Sequence, residues 1–423
     1  MGNHIYAGAE WIGSVPEHWK FYKGKIIFGE SNEKGNDNNL ELLSPTQKYG
    51  VIPQTLYEQY TTLRTVKVKE DTDLNTFKTV HKGNFCISLR SFQGGFEYSE
   101  YEGVVSPAYH ILYSKCPICD GYYKYLFKEQ SFIAEMNSYC QTLRDGKNIS
   151  YSDFGKTLIP YPPINEQQSI ANYLDDRCSK IDAIIAEAKA SIEEYKELKQ
   201  AVIYEAVTKG LDKNVEMKDS GVELVGKIPK NWTLKRFKYV ARIKSNLVSP
   251  DEYMDYYQIA PDCIEKDSGI ISINRLVKDA GVISGNHLFY KGQILYSKIR
   301  PILNKVAIAP YDGLCSADMY PLDTIEDTDF VAISMQAKYF VSQVELITRD
   351  RVKMPKINQE ELGNIFMPIP PRDIQYKIVK YVNNKNKQFN TLIAEKQSLI
   401  EDLEAYKKSL IYEVVTGKRK VVE

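Results

Sequence analysis

The sequence predicts an α+β protein made twice from one plan, a mixed globular part followed by a long helix. Three observations predict it. The first is a repeat: residues 159–208 and 367–416 align without gaps at an offset of 208 and are identical at 17 of 50 positions. The second is that Gly and Pro are absent from 164–209 and from 372–416. The third is a looser recurrence upstream of both helices. EWIGSVPEHW from Glu10 answers ELVGKIPKNW from Glu223, and Lys82-Gly83-Asn84 answers Lys291-Gly292-Gln293. A period near 208 marks a duplicated domain, since solenoid units repeat every 20–50 residues.

Each element follows from local chemistry. The globular parts, 1–163 and 211–371, carry short β-prone runs at Phe85–Leu89, Val104–Tyr113, Ile270–Ile273 and Gln293–Tyr296, punctuated by Gly, Pro and Asn. The segments 164–210 and 372–423 are assigned to the long helices. Pro162-Pro163 and Pro370-Pro371 stop any earlier helix, and Asn165 and Asp373 are the expected N-caps. Ile181, Ile185, Ile192, Tyr195 and Val202 on one helix, and Leu392, Leu399, Leu403, Tyr406 and Leu410 on the other, recur at 3–4 spacing. That spacing is the seam of a two-helix coiled coil. Breaks are expected at Asp175-Asp176 and at Asn383–Asn386, which are weak helix formers.

Composition bounds the function. The chain has 423 residues, 43% apolar and 26% charged, with 55 basic and 55 acidic side chains. Zero net charge excludes a polybasic tail but not a charge-sorted surface. The seven scattered cysteines read as reduced thiols, and the one CxxC, Cys116–Cys119, lacks a second ligand pair, so no metal is expected. The start lacks a signal-peptide pattern and no apolar run is long enough to cross a membrane, so a cytoplasmic protein is expected. P-loop, dinucleotide, zincin and nucleophile-elbow motifs are all missing. Tyr161-Pro162-Pro163-Ile164 departs at both ends from the tetrapeptide of amino-methyltransferases, and Glu197-Leu198-Lys199 lies inside a helical seam. No catalytic residue is assigned.

The duplicated order of these phrases resembles the specificity subunits of type I restriction-modification systems. They are EWIGSVPEHW with ELVGKIPKNW, KGNFCISLRS with KGQILYSKIRP, and PYPPINEQQSIANYLD with PIPPRDIQYKIVKYVN. The resemblance spans nearly the whole chain. It implies two mixed α/β target-recognition domains joined by two long antiparallel coiled-coil helices in a pseudo-twofold repeat. Each domain would read one half of a split target in double-stranded DNA. The helices would dock two methyltransferase subunits, with restriction subunits joining them. Adenine methylation and ATP-dependent cleavage would belong to those partners, as would S-adenosylmethionine, ATP and Mg. The alternative is a coiled-coil interaction scaffold that binds no DNA.

Arg pairs with guanine, and Asn and Gln pair with adenine. The candidate DNA-binding residues in the first part are Arg90 and Gln93 beside Gly94-Gly95, then Gln47, Lys48, Lys147 and Asn148. In the second they are Lys298, Arg300, Asn304, Lys305, Lys353, Lys356 and Asn358. The globular parts are not basic as wholes: residues 1–165 hold 17 basic against 18 acidic side chains, and 211–371 hold 21 of each. Weak, salt-sensitive binding by the isolated chain is therefore expected. Trp19 and Trp232, each following a proline, are read as packing anchors.

Overall fold

The computed structural model describes residues 4–6, 8–35, 40–61, 73–87, 95–139, 149–351 and 353–421. It divides into two compact units. One holds Met1–Ala188 with Ser398–Glu423; the other holds Lys189–Gln397. Each long helix therefore contributes to both units.

The repeat is written in the strand order. In the first unit Phe28–Ser31, His110–Ser114, Phe85–Ile87 and Phe96–Tyr98 form one antiparallel sheet in that order. In the second, Ala241–Ile243, Met319–Thr324, Ile294–Ser297 and Val306–Ile308 form its counterpart, in the same order and sense. Beside each sheet a two-stranded ladder leads to the long helix: Lys20–Lys23 with Leu158–Tyr161, and Thr233–Arg236 with Phe366–Ile369. The opening hairpins correspond too. His4–Tyr6 pairs with Ser14–Pro16 as Met217–Asp219 pairs with Lys227–Pro229.

The matched turn phrases now have a reason. Gly83 and Gly292 adopt φ of 94° and 88°, open to glycine at little cost. Their N–H groups donate to Ser99 and Ala309 carbonyls, both at 2.9 Å. The next residue caps the turn: Asn84 Oδ1 accepts from His81 N–H and Gln293 Oε1 from Tyr290 N–H, both at 2.9 Å. The run Ile270–Ile273, by contrast, forms no strand. It makes a single bridge, Ile264 to Ile271, and leaves Ile270 and Ile273 exposed.

The long helices span Ile164–Lys209 and Arg372–Val415, 46 and 44 residues, without the expected breaks. At ~1.5 Å per residue each is a rod of over ~60 Å. Seam packing overrides the weak propensity at Asp175-Asp176 and Asn383–Asn386. Within each unit the helices run antiparallel. In the first, Asp182 meets Lys407 at 2.6 Å, and Arg419 lies within the field of Tyr173. In the second, Lys199 Nζ donates to Asn390 at 3.1 Å, and Ile203, Ala206 and Val207 share a core with Ile378 and Val382. Ile181, Ile185 and Ile192 are buried, with Tyr195 and Val202 partly so.

The second helix corrects the sequence reading. Leu392, Leu399 and Tyr406 are exposed, one position out of phase, while Ile400 and Leu410 are buried and Leu403 partly so. The inward row passes through Phe389, Lys396 and Lys407, and the two lysines disguise its phase.

Each helix ends against the opening turn of a globular part. Gly210 follows the first helix at φ +79°, beside Trp232 and Pro229. Gly417 follows the second at φ +71°, beside Trp19 and Pro16. Trp19 and Trp232 are buried, and each backbone N–H closes a turn onto the proline three residues earlier. A Cβ on Gly417 would sit 2.4 Å from Pro16 Cδ and 2.9 Å from Trp19, whereas one on Gly210 would meet Trp232 at 3.2 Å. We expect Gly417→Ala to cost about 2–3 kcal/mol and Gly210→Ala about 1 kcal/mol. Thermal melting of the two variants checks this; equal losses would contradict the packing argument.

Candidate nucleic-acid interface

In the second unit the chain leaves strand Ile294–Ser297 and turns through Pro301–Leu303 into Val306–Ile308. A distant segment docks along that turn. Ile357 N–H donates to the Lys298 carbonyl at 3.0 Å, and Arg300 N–H to the Pro355 carbonyl at 2.8 Å. A bridge joins Ile299 to Lys356. Candidates some fifty residues apart in sequence, Lys298 and Arg300 with Lys353 and Lys356, thus share one ledge. Arg300, Asn304 and Lys353 all take left-handed backbone, at φ 43°, 48° and 75°. Non-glycine residues hold that conformation at a cost of about 1–2 kcal/mol each, so surrounding bonds must fix the ledge.

The side chains on it differ in availability. Arg300 and Lys353 are exposed and make no ion pair among the described residues. Lys356 is exposed and pairs with Asp318 at 2.9 Å, a surface contact of little net worth. Lys298 is partly buried over the Tyr320 ring, 5.2 Å from its centre. Three further candidates are engaged in framework bonds. Asn304 is 2% exposed and donates its amide to the Gln336 carbonyl at 3.1 Å. Lys305 donates its ammonium to the Pro261 carbonyl at 2.5 Å. Asn358 caps helix Gln359–Gly363, accepting from Glu361 N–H at 2.9 Å while Glu361 reaches back to its own N–H.

In the first unit Gln47 and Lys48 sit exposed at the turn between Leu43–Thr46 and Gly50–Pro53. The Lys48 ammonium lies 4.8 Å from the Tyr49 ring centre. Arg90, Gln93, Lys147 and Asn148 lie outside the described residues. The strands flanking the Arg90–Gln93 segment, Phe85–Ile87 and Phe96–Tyr98, face Cys86 with Glu97 across the ladder. Glu97 is 2% exposed, and burial pushes its carboxyl up to about 7; the charge and hydrogen bond of Lys128, 2.5 Å away, only partly offset this. His81, in the turn before Phe85, is hydrogen-bonded to Glu33 and Glu102 at 3.0 and 2.8 Å, and both carboxylates raise its pKa.

The sequence reading missed two residues that organise both units. Asn165 and Asp373 lie inside the helices rather than capping them. Gln167 and Gln375, a pair related by the 208-residue offset, are fully buried. Gln167 donates to the Pro162 carbonyl at 2.8 Å and accepts from Cys119 N–H at 2.9 Å. Gln375 donates to the Pro370 carbonyl at 2.9 Å and accepts from Asp327 N–H at 3.0 Å. Each glutamine clips the start of a long helix to the start of a short one, Asp120–Leu126 or Thr328–Gln336. Their identity within the repeat was the available signal.

Residues 17–194 match the family described as the type I restriction modification DNA specificity domain. The chain is similar to the specificity subunits of type I restriction enzymes. It is 33% identical to the type I restriction enzyme EcoDI specificity subunit of Escherichia coli over 283 residues, 61% of this chain and 64% of that protein. It thus spans slightly less than two thirds of that relative. It is 25% identical to the MjaVIII specificity subunit of Methanocaldococcus jannaschii over 343 residues, 76% of this chain and 75% of that one. The fold recurs in a chain from a solved type I R-M system, with a TM-score of 0.71 at 13% identity over 96% of this chain and 99% of that one. It recurs in the HsdS subunit from Thermoanaerobacter tengcongensis, with a TM-score of 0.54 at 14% identity over 96% and 98%. No helix among the described residues is long and apolar enough to cross a membrane.

Proposed function

We propose that this chain is the DNA-reading subunit of a type I restriction-modification complex, each globular part reading one half of a split target. One observation carries the reading. The two units repeat the same framework bonds, at Gly83 and Gly292, at Asn84 and Gln293, and at Gln167 and Gln375, while their exposed candidate residues differ. One scaffold bearing two unlike surfaces suits two unlike half-sites. Arg300 and Lys353 are the leading contacts in the second part, with Lys298 and Lys356 beside them. In the first, Gln47 and Lys48 belong to the same proposal, as do Arg90, Gln93, Lys147 and Asn148.

Methyl transfer and ATP-dependent cleavage belong to partner subunits in this reading, which bring S-adenosylmethionine, ATP and Mg. The outward row Leu392, Leu399 and Tyr406 offers apolar surface to the methyltransferase subunits. The test is methylation mapping in a host producing the chain with its modification subunits. A bidentate arginine contact is worth about 1–3 kcal/mol, so Arg300→Ala is expected to lower methylation at least about fivefold and to relax one base position in one half-site. A methylated motif identical to that of the unaltered chain, or no sequence-dependent methylation at all, would favour a scaffold that binds no DNA.

A further inference from the structure

The ledge is tied to the second long helix through a buried strut. Helix Thr328–Gln336 has residues Phe330 through Met335 buried in succession, and at ~1.5 Å per residue it spans about 13 Å. At its far end the Asn304 amide donates to the Gln336 carbonyl at 3.1 Å, and the Gln336 amide donates to the Val306 carbonyl at 3.3 Å. Both bonds hold the turn that carries Arg300. At its near end Asp327 caps the helix, accepting from Phe330 N–H at 2.9 Å, and its own N–H is gripped by Gln375. Gln375 lies in the first turn of the long helix. A continuous path of partly buried hydrogen bonds and one buried helix thus joins that turn to the ledge.

The first unit builds the same connection with other chemistry. Gln167 grips Cys119 at the start of helix Asp120–Leu126. Phe127, just after that helix, packs on Phe96 with ring centres 5.1 Å apart. Phe96 opens the strand that follows the Arg90–Gln93 segment. Aromatic contact here takes the place of the Asn304–Gln336 bond.

We propose that helix Thr328–Gln336 sets the position of the reading ledge relative to the long helix, and that Asn304 is a positioning residue for base discrimination in one half-site. The inference rests on the DNA-reading role proposed above. Asn304 touches no base in it. Its amide holds a left-handed turn that otherwise relaxes, and a relaxed ledge accepts mismatched bases.

Two variants test this in the full chain, produced with its modification subunits. Asn304→Asp tolerates the same backbone but cannot donate; Asn304→Gly keeps the backbone and removes the side chain. Methylation is mapped genome-wide, and melting of each purified complex is recorded alongside. Losing the bond is expected to raise methylation of singly mismatched sites by about tenfold relative to the full target, in one half-site alone. That half-site is the one altered by Arg300→Ala. If Arg300→Ala changes one half-site while both Asn304 variants keep the original discrimination, the strut inference falls and the reading role stands. Equal relaxation of both half-sites, or a loss at all sites that follows melting temperature in both variants, also overturns the inference. If Arg300→Ala changes neither half-site, the underlying reading fails first.

Discussion

Replacing Gln375 with leucine is expected to destabilise the second unit by about 3 kcal/mol, the summed cost of orphaning buried polar groups. The side chain is fully buried and makes three hydrogen bonds. Leucine fills similar volume but leaves the Asp327 N–H and the Pro370 carbonyl without partners, and removes a donor from Glu326. Burial alone would raise the Glu326 carboxyl. Hydrogen bonds from Lys235 and Gln375, with the charges of Lys235 and Arg372, outweigh burial and hold it below 4.5. A depressed carboxyl stabilises the fold above its unfolded pKa, and that stability is lost as the pH falls through the lower folded value. The Gln375→Leu variant should therefore also show less of this acid-dependent loss. A unit of this size melts about 2–4 °C lower per kcal/mol, so a shift of roughly 6–12 °C is expected. Gln167→Leu should cost less, because its side chain makes two such bonds and none to a carboxylate among the described residues. Gln168→Leu, at an exposed position, is the control. Denaturant titration of the three variants decides the matter; a Gln375 loss no greater than that of Gln168 defeats the clip.

What was legible in the sequence was whatever rests on local backbone chemistry. The helices were legible because a 3–4 apolar rhythm without Gly or Pro has few other outcomes, and the proline pairs mark their starts. The matched Lys-Gly-Asn and Lys-Gly-Gln turns were legible because a left-handed glycine and a capping amide are both chemical requirements. The seam of the second helix was not, because Lys396 and Lys407 occupy inward positions with their stems and mask the phase that Leu399 and Tyr406 suggested. The ledge was half legible. Residue type nominated Lys298, Arg300, Lys353 and Lys356, but only the pairing of 298–300 with 355–357 brings them together. Residue type also nominated Asn304 and Lys305, whose polar ends are spent on Gln336 and Pro261. An amide that reads adenine and an amide that clips a carbonyl are the same letter, and burial alone separates them.

Glu97 gives the first unit a pH dependence of its own. Its carboxyl is buried, with one oxygen 2.5 Å from Lys128 and the other without a hydrogen-bond partner among the described residues. A carboxyl raised from 4.5 to about 7 keeps its proton in the folded chain over a range where the unfolded chain has lost it. The folded state then binds more protons, so stability is fully present below pH 4.5 and falls as the pH rises through about 7. The integrated loss is about 3 kcal/mol, from 1.36 kcal/mol per unit of displacement. His81 acts in the same sense from pH 6.5 upward, where its bonds to Glu33 and Glu102 weaken as the ring loses its proton. Glu97→Gln separates the two. Glutamine is neutral throughout, so the variant loses the slope between pH 4.5 and 7 but keeps the His81 contribution. The stability difference, variant minus parent, should therefore climb by about 3 kcal/mol across that interval in urea titrations. A flat difference would mean that Lys128 holds the carboxylate ionised despite its burial, and that strand Phe96–Tyr98 carries no such dependence.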